Sequence, residues 1–172
     1  MFRKTSFVFS LILLVGATAL SAQTAPKYGH MNLGNLLEEM PDTKKANEDL
    51  NVFTGVLTAK DDSLTKAFQA AYNALETEYK GGGLPPVQAK MRQEELQKQQ
   101  EYIQKFEQDA QQLVAAKREE LLKPILTKIT DAVKAVAKEA GYAMVFDTSS
   151  GVMLFAAETE DVTALVKKKL GI

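Results

Sequence analysis

The 172-residue sequence contains no cysteine and a single histidine, His30. Without cysteine there is no disulfide framework, no thiolate metal site, no cysteine nucleophile and no lipid-bearing cysteine at a cleavage site. An oxidising compartment would leave such a chain unaffected. Serine is sparse as well: beyond residue 22 only Ser63, Ser149 and Ser150 occur, so a Ser, His and Asp arrangement has almost nothing to draw on. Proline and glycine together number only 15, against 45% hydrophobic and 25% charged residues. The chain is therefore neither disordered nor collagen-like. Its length suits one ordinary domain, or a small core carrying an extended element.

Other signatures of chemistry are also missing. Asp61 and Asp62, Glu94 and Glu95, and Glu119 and Glu120 are adjacent carboxylates, but helical neighbours point about 100° apart and form solvated faces rather than acid and base pairs. Gly81, Gly82 and Gly83 are not followed by a Lys and Ser or Thr pair, so they read as a turn, not a phosphate loop. No enzyme activity, cofactor or metal is expected. From Asp42 to Pro124 there are 12 Lys plus Arg against 14 Asp plus Glu, the opposite of the bias a nucleic-acid groove needs.

The first residues follow their own pattern. Arg3 and Lys4 precede an uncharged apolar stretch from Phe7 to Leu20, then small residues and a polar break at Gln23. This is the layout of a secretory signal peptide over residues 1–22, cleaved after Ala22, with Ala19 as the alternative site. The stretch is shorter than the roughly 20 residues that cross a bilayer. No second apolar run follows, so the mature chain is expected to be exported and soluble, without stable membrane insertion. Its net charge would be near −3, with 19 basic and 22 acidic residues remaining.

The mature chain divides by periodicity. Lys27 to Leu33 alternates with a period near two, which predicts a strand. Leu36, Leu37 and Met40 suggest a helical turn or two, ended by Pro41. After Asp42 no proline occurs until the tip, and Leu50, Phe53, Leu57, Lys60, Leu64, Ala67, Ala71, Ala74 and Glu78 are spaced alternately by three and four, which predicts a helical seam. Gly81 to Pro86 cannot continue a helix and forms the turn of a helical hairpin. The return helix, from about Val87 to Ala140, reads Leu96, Gln99, Ile103, Phe106, Ala110 and Leu113, slips in phase near Lys117, and resumes at Leu122, Ile125, Ile129, Ala132 and Val136. Pro124 is expected to kink or break it.

Gly141 stops this helix. Tyr142 to Asp147 then reads as a mostly buried strand, and Val152 to Ala156 as a second one paired with it in a hairpin. Asp161 to Leu170 predicts a final helix with Val162, Leu165, Val166 and Leu170 on one face. Each chain end is too small to bury a core alone, so the two must meet. Open strand edges in so small a body invite association with other copies, and a symmetric ring is the usual form.

The predicted fold class is α+β, mainly α: a long antiparallel coiled-coil hairpin over residues 42–140, with its tip at 81–86, on a β-rich association body. That body is built from 23–41 and 141–172 and shared between subunits. The arm aromatics Phe53, Phe68, Tyr72, Tyr79, Tyr102 and Phe106 read either as the packed seam or as the lining of a client-binding surface. Tyr28, His30, Met144, Phe146, Val152 and Leu154 are the candidates for the association body.

This order of elements resembles the Skp (OmpH) family of periplasmic outer-membrane-protein chaperones. The resemblance rests on Lys27 to Leu37 (KYGHMNLGNLL), Phe106 to Asp109 (FEQD), Ile129 to Asp147 (ITDAVKAVAKEAGYAMVFD) and Asp161 to Leu170 (DVTALVKKKL). It implies a homotrimer whose hairpins enclose a cavity, in which unfolded outer-membrane proteins are held without ATP. The family's positive arm tips are not reproduced: Lys80, Lys90 and Arg92 are the cations around this tip, and no lipopolysaccharide or membrane site is carried over. A structural or adaptor coiled coil of the cell envelope that docks one folded partner is the competing reading.

Overall fold

A computed structural model describes residues 25–172, so the expected signal segment lies outside the described residues. Strand β1 (Lys27–Met31) leads into helix α1 (Leu33–Glu39), followed by the long helices α2 (Pro41–Lys80) and α3 (Pro86–Ala140). Strand β2 (Tyr142–Asp147), a 3-10 turn (Glu158–Glu160) and helix α4 (Thr163–Leu170) complete the chain.

The hairpin follows from its punctuation. Pro41 and Pro86 occupy the first helical position of α2 and α3, where the missing N–H costs no intrahelical bond and the fixed φ suits a helix. At about 1.5 Å per residue the 40 residues of α2 span roughly 60 Å and the 55 of α3 roughly 80 Å. The excess length of α3 runs under the body. Pro124 lies inside α3, which continues through it unbroken. Gly141 then terminates the helix with φ 72°, its N–H donating to the Ala137 carbonyl, a left-handed cap that glycine takes without steric cost.

The body differs from expectation in its strands. Val152 to Ala156 does not form a strand, and β2 has no hairpin partner. Instead β1 pairs with β2 in parallel, with Tyr28 opposite Met144, Gly29 opposite Val145 and His30 opposite Phe146. Parallel strands need a crossover connection, and here the whole helical hairpin supplies it. Of β2, only Tyr142 and Val145 are half-buried, because one face of a two-stranded sheet rests on the core and the other is uncovered.

The core lies where the chain ends meet the base of α3. Leu36, Met40, Val162 and Val166 are fully enclosed and pack with Met31, Ile125, Ile129 and Val136. Each such side chain contributes about 1.5–3 kcal/mol of burial. Leu165, expected on the packed face of the last helix, is exposed instead. Lys167 and Lys169 pin α4 to α1 and α3 through Glu39 and Glu139, each pair at 2.5 Å. Asn32 caps α1 by accepting from the Asn35 N–H at 2.9 Å. Asp147 reaches the same helix end, accepting from the Leu33 N–H at 3.0 Å and from the Ser149 N–H at 2.9 Å.

Candidate functional site

Two surfaces stand out, one between the arms and one on the body. The arms close along a seam that differs in detail from the expected one. Leu50, Phe53, Leu57, Leu64 and Ala71 face α3, but Asp61, Phe68 and Leu75 take the inward places expected for Lys60, Ala67 and Ala74, and Glu78 is exposed. On α3, Val114 is turned inward and Leu113 outward. The observed positions advance by slightly more than 3.5 residues per turn, as an ordinary α-helix does, so a strict heptad reading drifts out of phase. Lys117 turns partly inward within an uninterrupted face, where a phase slip was expected.

This seam is loosely filled. At mid-arm, Asp61 is half-buried, its Oδ1 has no hydrogen-bond partner, and Glu107 lines the same crevice of ≈ 250 Å³. Nearer the tip a groove of ≈ 330 Å³ opens between Phe68, Tyr72, Leu75 and Tyr79 on α2 and Leu96 on α3. Tyr72 and Tyr79 are exposed, and the Phe68 and Tyr72 rings lie 6.4 Å apart. Gln93, Gln97 and Gln100 edge the groove with amides, and Glu76 adds one carboxylate.

The six arm aromatics therefore separate into two sets. Phe53, Phe68 and Phe106 are half-buried in the seam, whereas Tyr72, Tyr79 and Tyr102 remain exposed. The structure brings Phe68, Tyr72 and Tyr79 into one groove and leaves Phe53, Tyr102 and Phe106 outside it. Sequence reading did not single out the glutamine edge, although its spacing of four and three residues places it on one helical face. A second open strip lies on α3 at the base of the arms, where Leu122 and Leu126 are flanked by Arg118, Glu119, Lys123, Asp131 and Lys134.

On the body, the sheet face opposite the core is uncovered. Tyr28 and His30 on β1 and Met144 and Phe146 on β2 share that face by their register. The Tyr28 and Phe146 rings stand 6.3 Å apart. Val152, Leu154 and Phe155 on the irregular segment are 83%, 98% and 85% exposed, and Met153 of that segment lines a hollow together with Tyr28, His30 and Phe146. Phe155 and Met153 were missed in the sequence because Val152 to Ala156 was assigned to a paired strand.

His30 holds this segment in place. Its Nε2 lies 3.0 Å from the Ala157 carbonyl, which can only accept, so Nε2 carries the proton. The His30 carbonyl in turn accepts from the Val162 N–H at 2.9 Å. Asp161, bridged to His30 in parallel, has a lowered pKa: burial acts to raise it but is outweighed by hydrogen bonds from Thr163 and by the charges of His30 and Lys167. No group of metal-ligating side chains gathers among the described residues.

The family described as outer membrane protein (OmpH-like) matches residues 27–170, from the first strand to the last helix. The chain belongs to that family. A curated relative, the chaperone protein Skp of Pectobacterium atrosepticum, is 28% identical over 162 residues, covering 91% of this chain and 93% of its own. An OmpH-like outer membrane chaperone structure from Caulobacter crescentus superposes with a TM-score of 0.72 over 86% of this chain and 85% of that one, at 15% identity. The OmpH-like fold is thus reached with little sequence in common. No helix among the described residues of this OmpH-like chain is long and apolar enough to cross a membrane.

Proposed function

We propose that this protein is an ATP-independent periplasmic holdase that binds unfolded outer-membrane proteins in a cavity enclosed by the helical hairpins of a homotrimer. The observation that carries the reading is the groove near the tip, lined by three aromatic rings, on an arm far longer than its body requires. The uncovered sheet face and its open strand edges support self-association, because no other strand of the described chain satisfies the free edge of β2. Many weak contacts from several arms would hold an unfolded chain by avidity, with no chemical step and no nucleotide. Membership of the OmpH-like family and similarity to a chaperone protein Skp support the same conclusion.

The test is direct. The mature protein, at one trimer per client, should suppress aggregation of a urea-unfolded β-barrel outer-membrane protein on dilution. Unchanged light scattering would reject the holdase reading. Capture of a single folded partner would favour the adaptor instead. Export is tested by mass spectrometry of the periplasmic protein, which should begin at Gln23.

A further inference from the structure

We propose that the groove near the tip takes one extended segment of an unfolded chain, apolar at every second residue and uncharged on the face it buries, rather than a third helix. The inference rests on the holdase reading above and names the part of a client that this groove recognises.

The length and repeat of the groove are set by α2. Phe68, Tyr72, Leu75 and Tyr79 succeed one another at four, three and four residues, so they form one row along a helix face. At about 1.5 Å per residue the row is roughly 16 Å long. An extended chain rises about 3.3 Å per residue, so about five of its residues run that distance and turn three side chains to one side. The Phe68 and Tyr72 rings lie 6.4 Å apart, and alternate residues of a strand are separated by about 6.6 Å.

The α3 edge decides between a strand and a helix. A helix satisfies its own backbone, whereas a lone extended segment brings unpaired N–H and C=O groups that need partners. Gln93, Gln97 and Gln100 stand exposed along that edge, and an amide both donates and accepts. Gln97 Nε2 already donates to Glu101 at 3.1 Å, which leaves its oxygen as an acceptor.

Charge decides which segment fits. Among the described residues Glu76 is the one charged side chain lining the groove, and Lys80 donates to it at 2.6 Å. With that carboxylate already matched, a charged residue turned into the groove would lose water without gaining a counterion. An uncharged face complements it. A transmembrane β-strand has this pattern, with apolar and aromatic residues alternating with polar ones. The part of an outer-membrane client that the groove fits is therefore a future strand.

Fluorescence anisotropy tests this with the mature protein and labelled peptides of about ten residues, the length of a transmembrane strand. One peptide alternates phenylalanine and leucine with serine and threonine; its isomer sets the same residues at the helical spacing of three and four; a third carries lysine at two of the apolar positions. The alternating peptide should bind about tenfold more tightly than its isomer, as one or two added hydrogen bonds of ordinary strength would give. The lysine peptide should bind more weakly than its parent. Gln93→Leu combined with Gln100→Leu, which keeps the apolar row, should remove the preference for the alternating peptide. Equal affinity of the two isomers, tighter binding of the helical isomer, binding of neither, a lysine peptide held as tightly as its parent, or a preference that survives in the double variant overturns the inference. Each of these leaves the holdase reading standing when the same protein still suppresses aggregation of the unfolded barrel. Failure of that suppression overturns the holdase reading itself.

Discussion

Arg92 donates to Glu78 across the base of the tip at 2.8 Å, and the same relationship recurs at the other end of the arms, where Lys128 donates to Asp42 at 2.8 Å. Glu78 follows Asp42 by 36 residues and Lys128 follows Arg92 by 36, so neither arm gains or loses a residue against the other along its full length. That interval is about ten turns of α-helix. Both bridges are half-exposed, so each contributes only about 0.2–1 kcal/mol. Arg92→Glu should therefore destabilise by about 1 kcal/mol through repulsion, and adding Glu78→Arg should restore most of the loss. Urea denaturation of the two single variants and the double variant measures the coupling.

Gly29 is required by a close approach rather than by backbone conformation. A Cβ there would lie 2.9 Å from Val162 Cγ1 and 3.0 Å from the Tyr142 ring. Gly29→Ala should cost about 1–3 kcal/mol by overpacking the body. Helical content should be retained at low temperature while the denaturation midpoint falls. A midpoint equal to that of the parent would mean that β1 is free to shift away from Val162.

Acid stability should depend on Asp147. Burial acts to raise its pKa, but the Ser149 N–H and hydroxyl and the Leu33 N–H outweigh that effect and lower it from 3.8. A carboxylate whose folded pKa is depressed contributes stability that is present above its unfolded pKa and is lost as pH falls through the folded value. Stability should accordingly decline below about pH 4, the ordinary range of an aspartate. Asp147→Asn should be less stable at neutral pH and show a shallower decline in acid, as followed by thermal melts between pH 6 and 2.5.

Client affinity should respond to the exposed aromatics of the groove. Tyr72→Ser combined with Tyr79→Ser removes two rings that are largely solvated in the free chain, so the melting temperature should hardly move. Loss of the two contacts, at roughly 0.5–1.5 kcal/mol each, should weaken binding of an unfolded β-barrel protein by roughly fivefold to a hundredfold. Fluorescence titration with a labelled client reads the change. Equal affinity would place client contacts elsewhere on the arms.

Much of this architecture was legible because the chain punctuates it strongly. Pro41, the Gly81 to Pro86 break and Gly141 bracket the long helices, and no competing break interrupts the arms. The seam was legible only in part. A strict heptad put Lys60, Ala67 and Ala74 inside, whereas Asp61, Phe68 and Leu75 lie there, because a small difference in period accumulates over 40 residues. Pro124 was expected to kink or break α3. A continuing helix loses one hydrogen bond at a proline, while Ile125 and Ile129 on either side of the next turn are held in the core. The assignment of Val152 to Ala156 as a strand failed for a different reason. Its β propensity is genuine, but β2 is already paired with β1 in parallel, and the candidate segment finds no partner within the described chain. The groove near the tip was legible in its aromatics and not in its shape, which depends on how Leu96 and the glutamines meet α2.

The parallel pairing of β1 with β2 also sets an order of events during folding. The 110 residues from 32 to 141 lie between the two strands, and closing a loop of that length before anything inside it has folded carries an entropic cost that local structure avoids. The antiparallel arms nucleate at a short turn and then zip through contacts close in sequence. Once they are zipped, Met31 and Tyr142 are delivered to the same end of a rigid rod. The small body thus assembles as a late event, conditional on arms whose base also supplies Ile125, Ile129 and Val136 to its core, and a lesion at the distant tip should slow the closure of a sheet it never touches.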